Sequence, residues 1–251
     1  MCKVISIVNQ KGGCSKTTSA VNIGIGLANA GKKVVLIDAD AQGSLTASLG
    51  FQKPDELKVT LATIMAKTIN EEEIDLSKVI LHHEEGVDLV PGNIELSGLE
   101  VQLSNVLSRE LILKEFVDSL RDSYDYILID CAPSLGMMTI NALVAADEVI
   151  IPVQAAYLPV KGLQQLMKTI NMVKRRLNKK LQIDGTEKIN QQQMITLLNE
   201  NMPGRKSIRK VTLSEDRLSK YFPPFYSQDD MEKVLIQLLE IWKQNQTQDD
   251  E

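Results

Sequence analysis

The stretch NQKGGCSKTTSA, residues 9–20, holds two lysines, a Gly-Gly pair and a Lys-Thr-Thr close to the start of the chain. These residue types suit the binding of a phosphate chain. Backbone N–H groups around Gly12 and Gly13 can turn inward on an anion, because glycine tolerates the required angles and lets an oxygen approach. A helix beginning just beyond adds its positive end. In such a loop Lys16 reaches the β- and γ-phosphates of a nucleotide, and the Thr17 hydroxyl ligates Mg²⁺. The phosphate-binding run is read as Gly12, Gly13, Cys14, Ser15, Lys16, Thr17 and Thr18. The usual spelling has glycine directly before Lys-Thr, where this chain has Ser15. If the position needs a positive φ, a side chain there costs roughly 1–2 kcal/mol, and its hydroxyl offers a further phosphate hydrogen bond. Cys14 reads as a packing residue, with a redox role as the rival.

Two more stretches bring carboxylates. VVLIDADAQG ends in Asp38 and Asp40, two residues apart and so on one side of an extended chain. YDYILIDCAPS ends in Asp130. Acids at the C-terminal ends of strands border the crevice in which open α/β sheets bind ligands. Beside a phosphate loop they hold Mg²⁺ through its waters or position an attacking water. Asp38 and Asp130 are assigned to the metal with Thr17. Any one of these acids alone would equally serve as a strand-end cap, but three acids at two strand ends beside one loop favour the site.

A sheet must carry these loops. KVISIVN (3–9), a strand within 31–40, GVDLVPG (86–92), YDYILID (124–130) and DEVIIPV (147–153) are short Val/Ile/Leu runs between helical stretches. That pattern predicts an α/β fold, with a mostly parallel central sheet covered by helices on both faces. Helices are expected over Thr17–Ala30, 104–122 and 161–180. Gly31 suits the residue after the first helix, and Gly24 and Gly26 suggest close packing of that helix on the sheet. His82 and His83 fall in a polar loop without ligand spacing.

Composition narrows the class. The chain has 251 residues, 43% hydrophobic, with a net charge of −5. There is no global basic field to draw it to nucleic acid, so any such contact needs a local patch. No apolar run is long enough for a membrane span, and no signal-peptide pattern opens the chain. Cys2, Cys14 and Cys131 cannot all pair and lack metal-ligand spacing, which suggests a reducing cytoplasm. In 161–180 the apolar residues Leu163, Leu166, Met167, Ile170, Val173 and Leu177 form one helical stripe. The other face carries Lys168, Lys174, Arg175 and Arg176 among its basic residues, suited to solvent or to a phosphate backbone.

KGGxxKTT, LIDADAQGSLTASLG and YDYILIDCAPSLGMMTINALVAADEVIIPVQ, in this order, resemble the ParA/Soj chromosome- and plasmid-partitioning ATPases of the deviant Walker A group, which also includes MinD. The likeness covers residues 1–185. It implies a P-loop ATPase using ATP, ADP and Mg²⁺, cytoplasmic and associated with the nucleoid. It implies a homodimer that sandwiches two nucleotides, with Lys11 reaching the partner's phosphates, Asp40 serving hydrolysis and Asp130 as the Walker B carboxylate. It further implies nonspecific DNA binding by the ATP dimer and slow hydrolysis stimulated by a DNA-bound ParB-like partner. Ala41 and Ala132 depart from the family's prolines.

After Gly185 the resemblance stops. Residues 186–251 turn polar and read as an atypical, mainly helical region, with Ser214 and Ser227 as helix caps. It packs on the same domain or acts as an interaction segment. Arg205, Lys206 and Arg209 in its GRKSIRK stretch are candidate DNA contacts, or an exposed loop. Two alternatives to the partitioning ATPase follow: a nucleotide-binding switch or scaffold with little hydrolysis, and a MinD-like positioning ATPase. The acidic polar face of the last helical stretch disfavours a membrane role.

Overall fold

The computed structural model describes residues 2–152 and 159–183. They belong to one compact unit, Met1–Asp184. Strands β1 (Lys3–Ile7), β2 (Val34–Ala39), β3 (Leu81–His82), β4 (Val87–Val90), β5 (Tyr126–Cys131), β6 (Glu148–Ile150) and β7 (Gln182–Ile183) form one sheet. Its order is β3-β4-β2-β5-β1-β6-β7. All pairings are parallel except β3 with β4. The helices are α1 (Lys16–Asn29), α2 (Ser44–Ser48), α3 (Leu61–Ile69), α4 (Leu76–Val79), α5 (Glu95–Leu103), α6 (Ile112–Leu120), α7 (Met137–Ala145) and α8 (Pro159–Arg176). A 3₁₀ turn covers Pro54–Glu56.

Side chains alternate between the two faces of a strand. Val35, Ile37 and Ala39 of β2 join Ile127, Ile129 and Cys131 of β5 in the core under α3, α5, α6 and α7. Val34 and Leu36 of β2 and Leu128 of β5 join Ile7 on the opposite face, with Ala20 of α1 and Leu45 of α2. This alternation also sends Asp38 and Asp130 to the α1 face. The central strands are buried on both sides, which is why they read as unbroken apolar runs.

The first helix ends as expected. Gly31, at φ 78°, donates to Ala28 O, and Lys32 N–H donates to Leu27 O, which is the Schellman pattern. Gly24 is a close approach, since a Cβ there would meet Leu36 Cδ2 at 2.7 Å. Gly26 is not: it faces open space and is exposed. The helix expected over 104–122 is shorter, Ile112–Leu120, and is preceded by the separate α5. Ser108 has φ 52°, a left-handed value that a continuous helix cannot contain. His82 lies in the two-residue β3, where its Nδ1 sits 2.5 Å from Asp88 Oδ1. Residues 186–251, with the two or three helical stretches expected there, lie outside the described residues.

Candidate nucleotide and metal site

The loop leaving β1 turns sharply into α1. Gly13 has φ 72°, and Ser15 sits at φ 65° and ψ 26°. The position does hold a left-handed residue, so the serine there is strained on the order of 1–2 kcal/mol. Ser15 makes no side-chain cap, and the first turn of α1 contains no acidic residue. The exposed amide end of that helix therefore keeps its positive character. Cys14 is buried, its thiol donating to Lys11 O at 3.1 Å, in keeping with a packing residue.

Lys16 is only 7% exposed, and its Nζ lies 3.4 Å from Lys11 O. The ammonium is thus folded back over the loop it would serve. Lys11 is exposed, and its N–H donates to Asn9 Oδ1 at 2.9 Å. Asn9 also donates through Nδ2 to Pro152 O. This buried amide fixes the mouth of the loop against the end of β6, a role that one polar residue at a strand end does not announce in sequence. Thr18 is exposed on the first turn of α1.

Asp38 and Asp130 are register partners on the adjacent strands β2 and β5. Both are buried. Asp130 Oδ2 accepts the Thr17 hydroxyl at 2.6 Å, while Asp130 Oδ1 is buried with no hydrogen-bond partner among the described residues. Burial pushes its pKa up to about 7; the Thr17 hydrogen bond opposes this, and the neighbouring Asp38 charge adds to it. A cation bound here would relieve both the burial and the repulsion. The orphaned oxygen, the adjacent hydroxyl and the paired acids fit a hard oxygen-seeking ion such as Mg²⁺.

Asp38 has a second set of ties. Its Oδ2 accepts Thr46 N–H at 2.8 Å and the Thr46 hydroxyl at 2.7 Å. The same hydroxyl accepts Gly92 N–H at 3.0 Å. Burial raises the pKa of Asp38 to about 6 against these hydrogen bonds. Asp38 thus bolts the first turn of α2 and the loop after β4 to the sheet. A Cβ on Gly92 would collide with the backbone oxygen of Asp38, so the close approach requires glycine. Asp40 lies at the rim. Its Oδ1 accepts Gln42 N–H at 3.0 Å, and its carbonyl accepts Gly43 N–H at 2.9 Å. Thr46 and Gly92 were not legible as site residues, since neither carries a motif of its own.

The structure therefore gathers Lys11, Gly12, Gly13, Cys14, Ser15, Lys16, Thr17, Asp38, Asp40 and Asp130 around one end of the sheet. Lys174, Arg175 and Arg176 are elsewhere, exposed on the last turn of α8. Arg205, Lys206 and Arg209 lie outside the described residues. Among the described residues all three cysteines are free thiols, and no helix is long and apolar enough to cross a membrane.

Comparison with known proteins agrees with this geometry. A protein-family model described as an AAA domain matches residues 2–183. The sporulation initiation inhibitor protein Soj of Bacillus subtilis (strain 168) is 44% identical over 185 residues, covering 74% of this chain and 71% of that protein. The chromosome-partitioning ATPase Soj of Treponema pallidum (strain Nichols) is 42% identical over 185 residues, 74% of this chain and 70% of its own length. Among solved structures, a cobyrinic acid a,c-diamide synthase from Mycobacterium smegmatis, with bound ADP and magnesium, superposes with a TM-score of 0.68 at 38% identity. That likeness covers 73% of this chain and 72% of the other. With the loop, the paired acids and these likenesses together, the chain belongs to the ParA/Soj family of partitioning ATPases.

Proposed function

We propose that the protein is a Mg²⁺-dependent ATPase acting in DNA segregation in the cytoplasm, at the nucleoid. It hydrolyses ATP to ADP and phosphate slowly, and a DNA-bound ParB-like partner accelerates it. The observation that carries this reading is the Thr17–Asp130 hydrogen bond, with the second oxygen of Asp130 buried and unpartnered among the described residues.

In this reading the backbone N–H groups of Gly12 to Thr18 hold the phosphates at the start of α1. Lys16, already folded over the loop, meets the β- and γ-phosphates. Thr17 would offer an oxygen lone pair to the metal while its O–H remains donated to Asp130. Asp130 and Asp38 would hold the metal through its waters, Asp38 with fewer free acceptor sites because Thr46 donates to it. A Mg²⁺ ion held there would supply charge neutralisation to the phosphates. Asp40, at the rim, positions the attacking water.

Lys11 is exposed beside the loop, which suits a cation delivered to a second subunit's phosphates in an ATP-bound homodimer. Such a group supplied across an interface resembles an arginine finger. Lys174, Arg175 and Arg176 provide a nonspecific contact to DNA phosphates, with Arg205, Lys206 and Arg209 as further candidates.

The test is ATP turnover alone, with DNA, and with DNA plus a ParB-type partner. Stimulation supports the reading, and its absence under every condition overturns the partitioning cycle. The dimer is tested separately. ATP-loaded Asp40→Ala protein should run as a dimer in light scattering, and the further change Lys11→Ala should return it to a monomer. A persistent monomer in the first case removes the role assigned to Lys11.

A further inference from the structure

The loop leaving Asp130 runs through Cys131–Leu135 to Gly136, the residue that caps α7. Gly136 has no side chain with which to cap the helix, and the first turn of α7 contains no acidic residue. The missing acid comes from another helix. Glu100 of α5 places Oε1 3.2 Å from Met138 N and accepts its N–H. The same oxygen fills the space beside Gly136, where a Cβ would collide with it. A carboxylate on the amide end of a helix satisfies an orphan donor and meets the positive end of the dipole.

Glu100 stands on a fixed platform. The N-terminal end of α5 is held by Asp55 Oδ1, which accepts Ile94 N–H at 3.1 Å, and by Asn93 Oδ1, which accepts Glu95 N–H at 3.3 Å. Its inner face is buried through Leu96, Leu99 and Leu103. Farther along, α7 is stapled by Asn141, whose Oδ1 accepts Leu113 N–H at 3.0 Å and whose Nδ2 donates to Arg109 O at 2.8 Å. Within the chain, Thr139 Oγ1 donates to Ser134 O at 2.9 Å and ties the first turn of α7 to the loop; Glu100 holds that turn from the neighbouring helix. The first turn in turn sets the far end of the loop from Asp130.

We propose that Glu100 is a positioning residue for the loop that leaves Asp130: by capping α7 across the gap left at Gly136, it fixes the far end of the loop 132–135 bordering the site, while β1 and β2 hold Asp130 itself. This rests on the ATPase reading of the site. Gly136 is glycine in order to admit that carboxylate. Its backbone, at φ −73° and ψ −172°, is open to any residue.

Two variants remove the cap by different routes. Glu100→Ala deletes the acid, and Gly136→Ala evicts it while leaving Glu100 in the chain. At a temperature well below unfolding, each should lower kcat roughly five- to tenfold through misplacement of the groups bordering the site, with KM for ATP little changed. The double variant should be no worse than either single one. Glu100→Gln keeps an oxygen for Met138 N–H and should restore most of the turnover. Unchanged kcat in both single variants overturns the proposal. So do additive losses in the double variant, or a Gln variant no better than Ala. Hydrogen exchange gives a readout without turnover: amides of 131–140 should exchange faster in both single variants, and protection equal to wild type overturns the proposal. If the wild-type protein has no ATPase activity, that defeats the functional reading alone, and the exchange result decides the role of Glu100.

Discussion

The Thr17 hydroxyl and Asp130 Oδ2 are 2.6 Å apart, joining the first turn of α1 to the end of β5 across 113 residues of sequence. One contact thus links the phosphate loop to the acid expected to face the metal. Its consequences can be measured.

Thr17→Ala should weaken Mg²⁺-dependent nucleotide binding by roughly tenfold or more, because it removes the ligand proposed for the metal and leaves a buried carboxylate without its donor. Thr17→Ser should retain most of the affinity. Calorimetric titration of ADP at several Mg²⁺ concentrations checks both. Equal affinities for wild type and Thr17→Ala would remove Thr17 from the metal site.

The buried acids make stability depend on pH in a defined direction. Asp130 is raised to about 7 and Asp38 to about 6, chiefly by burial, from an ordinary value of 3.8. Between about pH 4 and 7 the folded chain therefore keeps protons that the unfolded chain has lost. Protons bound to the folded state favour it, so this contribution to stability declines as pH rises through that window. Metal binding needs the ionised acids and strengthens over the same range. Thermal melts from pH 4.5 to 7.5 should show a shallower decline for Asp130→Asn than for wild type, when both lack metal. Parallel curves would contradict the assignment.

Ser15→Gly should stabilise the protein. Relief of the left-handed strain is worth roughly 1–2 kcal/mol, and the extra freedom of glycine in the unfolded chain takes back about 0.5–1. A net gain of about 0.5–1 kcal/mol is expected from urea unfolding. A loss would mean that the serine side chain makes a compensating contact.

Gly92→Ala should be severe. The added Cβ would collide with the backbone oxygen of Asp38, which cannot rotate away as a side chain does. The strand ends would have to separate, breaking the Thr46 hydrogen bonds to Asp38 and Gly92. A loss of roughly 3 kcal/mol or more is expected, read as a lower urea midpoint. Gly26→Ala, in open space on an exposed turn of α1, should instead gain about 0.5–1 kcal/mol from helix propensity.

The sheet was legible because β2 and β5 are buried on both faces, and Val, Ile and Leu dominate such strands. The phosphate loop was legible because its chemistry is local: every group it needs lies within one turn of chain. Asp38 was only half legible. Its position at a strand end is visible in LIDAD, but its bond to Thr46 depends on how α2 folds back. Gly92 and Glu100 matter through contacts made across the fold, and such contacts leave no periodicity behind. The break at Ser108 was missed for a related reason, since a serine in a left-handed turn looks like any other serine.

The antiparallel β3 has a consequence for the molecule in solution. The edge of a sheet is a template on which another chain can add a strand and begin to aggregate. Here the edge beyond β4 is occupied by a strand of two residues, Leu81 and His82. His82 is paired with Asp88 and largely exposed to water. So short a border gives an incoming strand little to pair with. The sheet is blunted against growth on that side, and copies of the chain are steered away from joining edge to edge there.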